Sequence, residues 1–209
     1  MEAAQVAHAS SDYLRLARQA KLLSWASLGY MALEGLVAIV AGVVAGSIAL
    51  IGFGIDSAIE GFASVVIVWR FTGSRTLSHQ AEERAQKLVA LQFFILAPYV
   101  GVEGIRALIN GSHPEESLVG IALAASSVVV MPLLGQAKQR IGSRLGSSAT
   151  ASEGKQNLLC AYLAAALLVG LLGNAVFGAW WLDPLVALFI AVVAVQEGRE
   201  AWRGDACCG

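Results

Sequence analysis

The chain has 209 residues, 57% of them apolar and 14% charged, against about 25% charged in an ordinary soluble domain, which excludes a soluble enzyme. Lys and Arg number 14 against 15 Asp and Glu, so no basic field exists that could hold nucleic acid by its phosphates. The 3 cysteines, one in an apolar run and two adjacent in a polar tail, make no disulfide framework; what remains is a polytopic membrane protein whose 22 glycines let helices approach closely.

A bilayer core of about 30 Å needs roughly 20 apolar residues per helix, and six stretches answer to that length. Residues 1–21 form a cytoplasmic lead-in, where Ser10-Ser11-Asp12 either caps a short helix on the inner surface or begins a plain solvated segment. The first span covers 22–45, contains Glu34 and ends in the GxxxG match Gly42-Val43-Val44-Ala45-Gly46, which implies close packing and little more. It is too long for a signal-peptide core and is expected to stay as an anchor. The second span, 47–69, carries Asp56 and Glu60 and is closed by Arg70. The connection 70–87 holds His79, Glu82 and Glu83, which form either an ion entrance or an ordinary charged loop.

The third span, 88–109, has Glu103 and Arg106 at i and i+3 near its outer end, read as a mutual structural pair. An acidic turn, 110–117, leads to the fourth span, 118–134, and the connection 135–156 to the fifth, 157–177, with Asn157, Cys160 and Ala164. Trp180 and Trp181 precede the sixth span, 185–195, at interfacial depth. Cys207 and Cys208 beside Asp205 end the chain, as incidental thiols or a trap for soft ions.

Orientation follows from the cations. Arg15, Arg18 and Lys21 precede the first span, and Arg70, Arg75, Arg84 and Lys87 follow the second. Lys138, Arg140, Arg144 and Lys155 separate the fourth from the fifth, and Arg199 and Arg203 follow the sixth. All of the 14 except Arg106 therefore share one side, and the positive-inside rule predicts cytoplasmic N and C termini. The expected fold class is an all-α integral membrane protein with six transmembrane helices: lead-in 1–21, transmembrane domain 22–203, and a short cysteine-containing cytoplasmic tail, 204–209. Compactness and the absence of organelle signals suggest a bacterial inner membrane.

Each charge at mid-membrane costs roughly 2.5–3.5 kcal/mol on insertion scales, so acids in the spans are functional by default. Asp56 and Glu60, at i and i+4, project from one helix face one turn apart. Two carboxylates so placed in low dielectric cannot both ionise cheaply; one holds a proton unless a cation sits between them. Proton and metal ion then compete for one site, which is the physical core of a proton-coupled cation exchanger. The bland alternative is two protonated acids bonded to neighbouring backbones. Glu34 either lines the same cavity or is protonated against a neighbouring helix. No phosphate-binding glycine loop, Walker lysine, catalytic triad or Cys-x-x-Cys pair occurs, so neither an ATP-driven pump nor a prosthetic group is expected.

Gly46-Ser47-Ile48-Ala49-Leu50 followed by Asp56-Ser57-Ala58-Ile59-Glu60 resembles the approach to, and body of, the second span of the cation diffusion facilitator family, where Gly-Ser-x-Ala-Leu leads into Asp-x3-Asp. The stretch from Asn157 through Cys160 to Ala164 falls where that family has His-x3-Asp, and Trp181-Leu182-Asp183-Pro184-Leu185 is similar to the start of its sixth span. The likeness covers roughly residues 20–200. It implies a homodimeric exporter of zinc or another divalent transition metal in exchange for protons, with a tetrahedral site shared by the second and fifth spans. Carried over, Asp56 matches the first acid, Glu60 the second, Cys160 the histidine and Ala164 the last aspartate.

Both fifth-span positions depart from the pattern. Cys160 can ligate as a thiolate, or it is a small buried hydrophobe; Ala164 cannot ligate. Asn157 either supplies a carbonyl oxygen or merely caps its helix end. The expected metal ligands are thus Asp56, Glu60, Cys160 and Asn157, with an S-plus-O donor set suited to a zinc-like ion rather than to magnesium or calcium. The soluble cytoplasmic domain common in the family is not expected in residues 196–209. Transport of a divalent cation is the first reading. The alternative is a non-transporting metal sensor or partner subunit on the same scaffold, and a third is a transporter of a monovalent or organic cation.

Overall fold

Long runs of Ala, Leu and Val, without proline until Pro98, favour uninterrupted helices. The computed structural model describes residues 2–45, 48–111, 118–177 and 182–204. Those residues form α1 (Glu2–Ala45), α2 (Ile48–Arg70), a 3₁₀ turn (Gly73–Leu77), α3 (His79–Asn110), α4 (Leu118–Leu145), α5 (Ser148–Phe177) and α6 (Leu182–Arg203). No strand occurs among them. Gly46, Ser47, the turn 112–117, Trp180, Trp181 and the Cys207-Cys208 tail lie outside the described residues.

The helices extend beyond the apolar spans. The short surface helix allowed at Ser10–Asp12 does not form, because nothing breaks the chain before Gly29 and α1 runs unbroken for 44 residues. Its lead-in is tied down: Leu16, Ala17 and Ala20 are buried, and the Tyr13 hydroxyl donates to the Thr76 carbonyl at 3.1 Å. The stretch 135–156, expected as a connection, is almost wholly helical. Only Gly146, in the left-handed region at φ 62°, and Ser147 separate α4 from α5. Likewise α3 begins at His79, with the Ser78 hydroxyl accepting from the Ala81 amide at 3.3 Å as its N-cap.

The helices pair most extensively as α1 with α2, α4 with α5, and α3 with α6. Contacts of α1 with α4, and of α5 with α2 and α6, close the bundle. Two glycine pairs bring helix backbones into contact. A methyl group on Gly54 would stand 2.8 Å from the Gly35 carbonyl oxygen, and one on Gly154 would stand 2.6 Å from that of Gly135. The first contact brings the neighbourhood of Glu34 against that of Asp56; the second zips α4 to α5, as small residues do between membrane helices.

Ile67, Val89, Phe93, Leu159 and Ile190 anchor the main apolar cluster, while Leu33, Leu36, Val43, Val44, Leu133 and Phe189 lie outward and exposed. An exterior this apolar suits lipid, not water. Stretches Ser11–Ala41, His79–Asn110 and Leu118–Leu145 are each long and apolar enough to cross a bilayer.

At one end Glu82 joins three elements. It accepts from the Arg70 Nε at 2.8 Å, from the Ser147 hydroxyl at 2.8 Å and from the Ala149 amide at 3.2 Å. A carboxylate at the start of α5 complements the helix dipole there. Glu82 is therefore a structural tie. His79 pairs instead with Glu83, at 3.4 Å on an exposed face.

Candidate cation site

The site is built on the buried seams of four helices. Along α1, Ser24, Ser27, Met31 and Glu34 recur at spacings of three and four residues, and all are buried. On α5 the buried seam is Glu153, Asn157, Cys160 and Ala164; on α2 it is Asp56, Ser57, Glu60 and Ser64; on α4 it is Ser127, Met131 and Lys138. Helical periodicity stacks each set on one face, so four polar seams meet along the middle of the bundle.

Asp56 and Glu60 are 6% and 1% exposed. Neither Glu60 carboxyl oxygen, nor Oδ1 of Asp56, has a hydrogen-bond partner. Cys160, 1% exposed, lies next to Glu60. Three of the four expected ligands thus face one region. Asn157 is equally buried, but its side-chain amide donates to the Ser27 hydroxyl at 3.4 Å, a turn of α5 away from Cys160. Ala164 is fully buried and offers no donor.

Residues that sequence reasoning left at the margin complete the surroundings. Glu34 accepts from the hydroxyls of Ser57 at 3.1 Å and Tyr30 at 3.2 Å, and also from Ser127. Tyr30 in turn shares a hydrogen bond with Ser126 at 2.6 Å. Hydroxyls from α1, α2 and α4 therefore fix this carboxyl group beside the Asp56–Ser57 turn. Gln92 of α3 donates to the Ile59 carbonyl, one residue from Glu60.

Toward the N-terminal end of α5, the Lys138 ammonium meets Glu153 Oε1 at 2.7 Å and the Ser24 hydroxyl donates to Glu153 Oε2 at 2.7 Å. Gln156, 1% exposed, has no partner for either side-chain polar atom. Lys138 and Glu153 were missed because they fall in a stretch too polar to count as a span. The available signal was helical spacing: Lys138 lies seven residues after Met131, and Glu153 seven before Cys160.

Chemically, the centre offers two carboxylates and a thiol, with a hydroxyl-bonded third carboxylate nearby. Among the described residues no three His, Cys, Asp or Glu side chains stand close enough together to grip one ion as they lie. Further donors must come from other residue types, from water, or from a small inward movement of the helices.

Residues 24–203 match the cation efflux transmembrane domain. A transporter of the cyanobacterium Synechocystis, itself described as uncharacterized, is 25% identical over 198 residues, covering 90% of this chain. The chain spans 63% of the length of that relative.

Proposed function

The chain belongs to the cation efflux family, and on that premise we propose that it is the membrane part of a secondary transporter, not an enzyme. It exports divalent transition-metal cations, zinc-like in donor preference, by proton antiport through the Asp56–Glu60 site. All six helices cross a bacterial inner membrane with both ends cytoplasmic, and two copies form a homodimer. The cationic residues gathered on one side support that orientation.

The observation that carries the proposal is that both carboxyl oxygens of Glu60 and Oδ1 of Asp56 are buried without a hydrogen-bond partner. Ionised carboxylates away from water and without hydrogen bonds are strongly disfavoured, so Asp56 and Glu60 require either protons or a cation. Binding a divalent ion displaces the protons, and returning protons release the ion, so one pair of side chains couples the two fluxes. Cys160 adds a donor whose thiol must also lose its proton to ligate. Asn157 reaches the ion when it leaves Ser27.

The test is growth of a metal-sensitive bacterial efflux mutant on zinc, cadmium or cobalt. The wild-type chain restores growth, and Asp56→Asn and Glu60→Gln each abolish the rescue at equal membrane abundance. Rescue that survives both substitutions removes the carboxylate mechanism.

A further inference from the structure

Beyond Met1, the chain has only two methionines, Met31 and Met131. They lie on different helices, α1 and α4, a hundred residues apart in sequence, yet they meet. Met31, Met131 and Cys160 form one buried cluster with Ala161, at 2%, 0% and 1% exposure for the three sulfur residues, and Tyr30 packs against it. Among the described residues, every sulfur atom of the chain is in that cluster.

The cluster borders the acids. Cys160 lies next to Glu60, and a methyl group built on Gly61, the next residue, would stand 3.8 Å from the Met31 Cβ. Glu60 is itself 1% exposed with both carboxyl oxygens unpartnered. Glu60, with two open acceptor atoms, therefore lies beside the cysteine of a cluster that also holds two thioethers.

Sulfur and oxygen donors rank cations differently. Thioethers and thiolates favour soft, polarizable ions, whereas carboxylates and hydroxyls serve hard ones equally well. Two carboxylates supply the charge for a divalent ion. Among the described residues no three His, Cys, Asp or Glu side chains grip the same point, which leaves room for donors of another type. A packing role alone uses methionine as a pliable filler, but it does not bring both internal methionines to the one buried cysteine beside an unpartnered acid.

We propose that Met31, Met131 and Cys160 form a sulfur wall of the Asp56–Glu60 site that makes it prefer a soft divalent cation, of which cadmium is the probe, over a hard one such as manganese. The inference rests on the carboxylate site proposed above and names the class of ion that site takes.

The experiment measures cadmium and manganese affinities of the purified full chain in detergent, by competition with a chromophoric chelator, together with the cadmium NMR shift of the bound ion. Wild type binds cadmium at least about a hundredfold more tightly than manganese. The volume-conserving Met31→Leu/Met131→Leu variant loses cadmium affinity by about tenfold while manganese stays within about twofold, and its cadmium resonance moves toward that of oxygen ligation. Cys160→Ser moves it further. An unchanged affinity ratio and resonance in the double-leucine variant overturn the proposal, as does a wild type without cadmium preference. Asp56→Asn/Glu60→Gln separates the two readings. If it keeps full cadmium affinity that the double-leucine change lowers, the carboxylate site fails and the sulfur site stands; if it loses both ions while the double-leucine variant matches wild type, the reverse holds.

Discussion

Lys138 and Glu153 form an ion pair with Nζ and Oε1 2.7 Å apart and side-chain exposures of 0% and 1%. It joins α4 to α5, and the Ser24 hydroxyl extends it to α1. Removing one member of a fully buried pair leaves the other charged and unmatched, which costs about 3–5 kcal/mol, whereas replacing both with apolar residues is often close to neutral. Lys138→Met is expected to lower the unfolding temperature in detergent sharply, and Lys138→Met/Glu153→Leu to recover most of the loss. A double variant no more stable than the single one contradicts this.

The Gly35–Gly54 contact makes a second prediction about packing. A methyl group at Gly54 would meet the Ile39 Cγ1 at 2.6 Å as well as the Gly35 carbonyl. Gly54→Ala therefore forces α1 from α2 and costs about 1–3 kcal/mol. Gly29, with nothing within 4 Å of its added methyl, is the control: Gly29→Ala leaves thermal stability equal or slightly raised. Equal effects at the two positions would refute the close-contact reading.

Much of this arrangement was legible in the sequence. Asp56 and Glu60 stood out because charged side chains inside apolar runs are scarce, and Cys160 because it occupies a motif position. The Glu103–Arg106 pair also stands as its spacing suggested, at 2.8 Å. Hidden from that reading were Lys138 and Glu153, since a window that scores apolar length discards polar residues buried by pairing across helices. Tyr30, Ser126 and Ser127 were hidden too, because hydroxyls are cheap enough in a membrane helix to carry no individual signal. Their meaning comes only from the convergence of α1, α2 and α4 on Glu34, which no local pattern encodes.

The charged connection after α2 divides into a working part and an idle one. Glu82 ties Arg70 to the start of α5, and losing its three hydrogen bonds destabilises the fold by about 2–3 kcal/mol. His79, 89% exposed at its side chain, contributes nothing comparable. Thermal melts in detergent should show a lower midpoint for Glu82→Ala and no change for His79→Ala, and metal affinity should be unchanged in His79→Ala. A fall in affinity in that variant would restore an entrance role to His79.

Acid must weaken metal binding if protons and cation compete for the same oxygens. Metal affinity of the purified chain should fall as pH drops, with up to two protons released from Asp56 and Glu60 per ion bound and one more from Cys160 when it ligates. In Glu60→Gln the residual affinity should depend less steeply on pH, because one titrating ligand is gone. A pH-independent affinity in the wild-type chain would mean that its ligands do not exchange protons.

The most direct measurement is made in sealed vesicles containing the purified chain and a trapped pH-sensitive dye. Imposing an inward zinc or cadmium gradient should produce metal entry and simultaneous interior acid loss, and an imposed proton gradient of the opposite sense should drive metal uphill. Asp56→Asn and Glu60→Gln should silence both signals together. Metal flux without proton movement, or coupled flux that persists when both acids are neutralised, would contradict exchange at the acid pair.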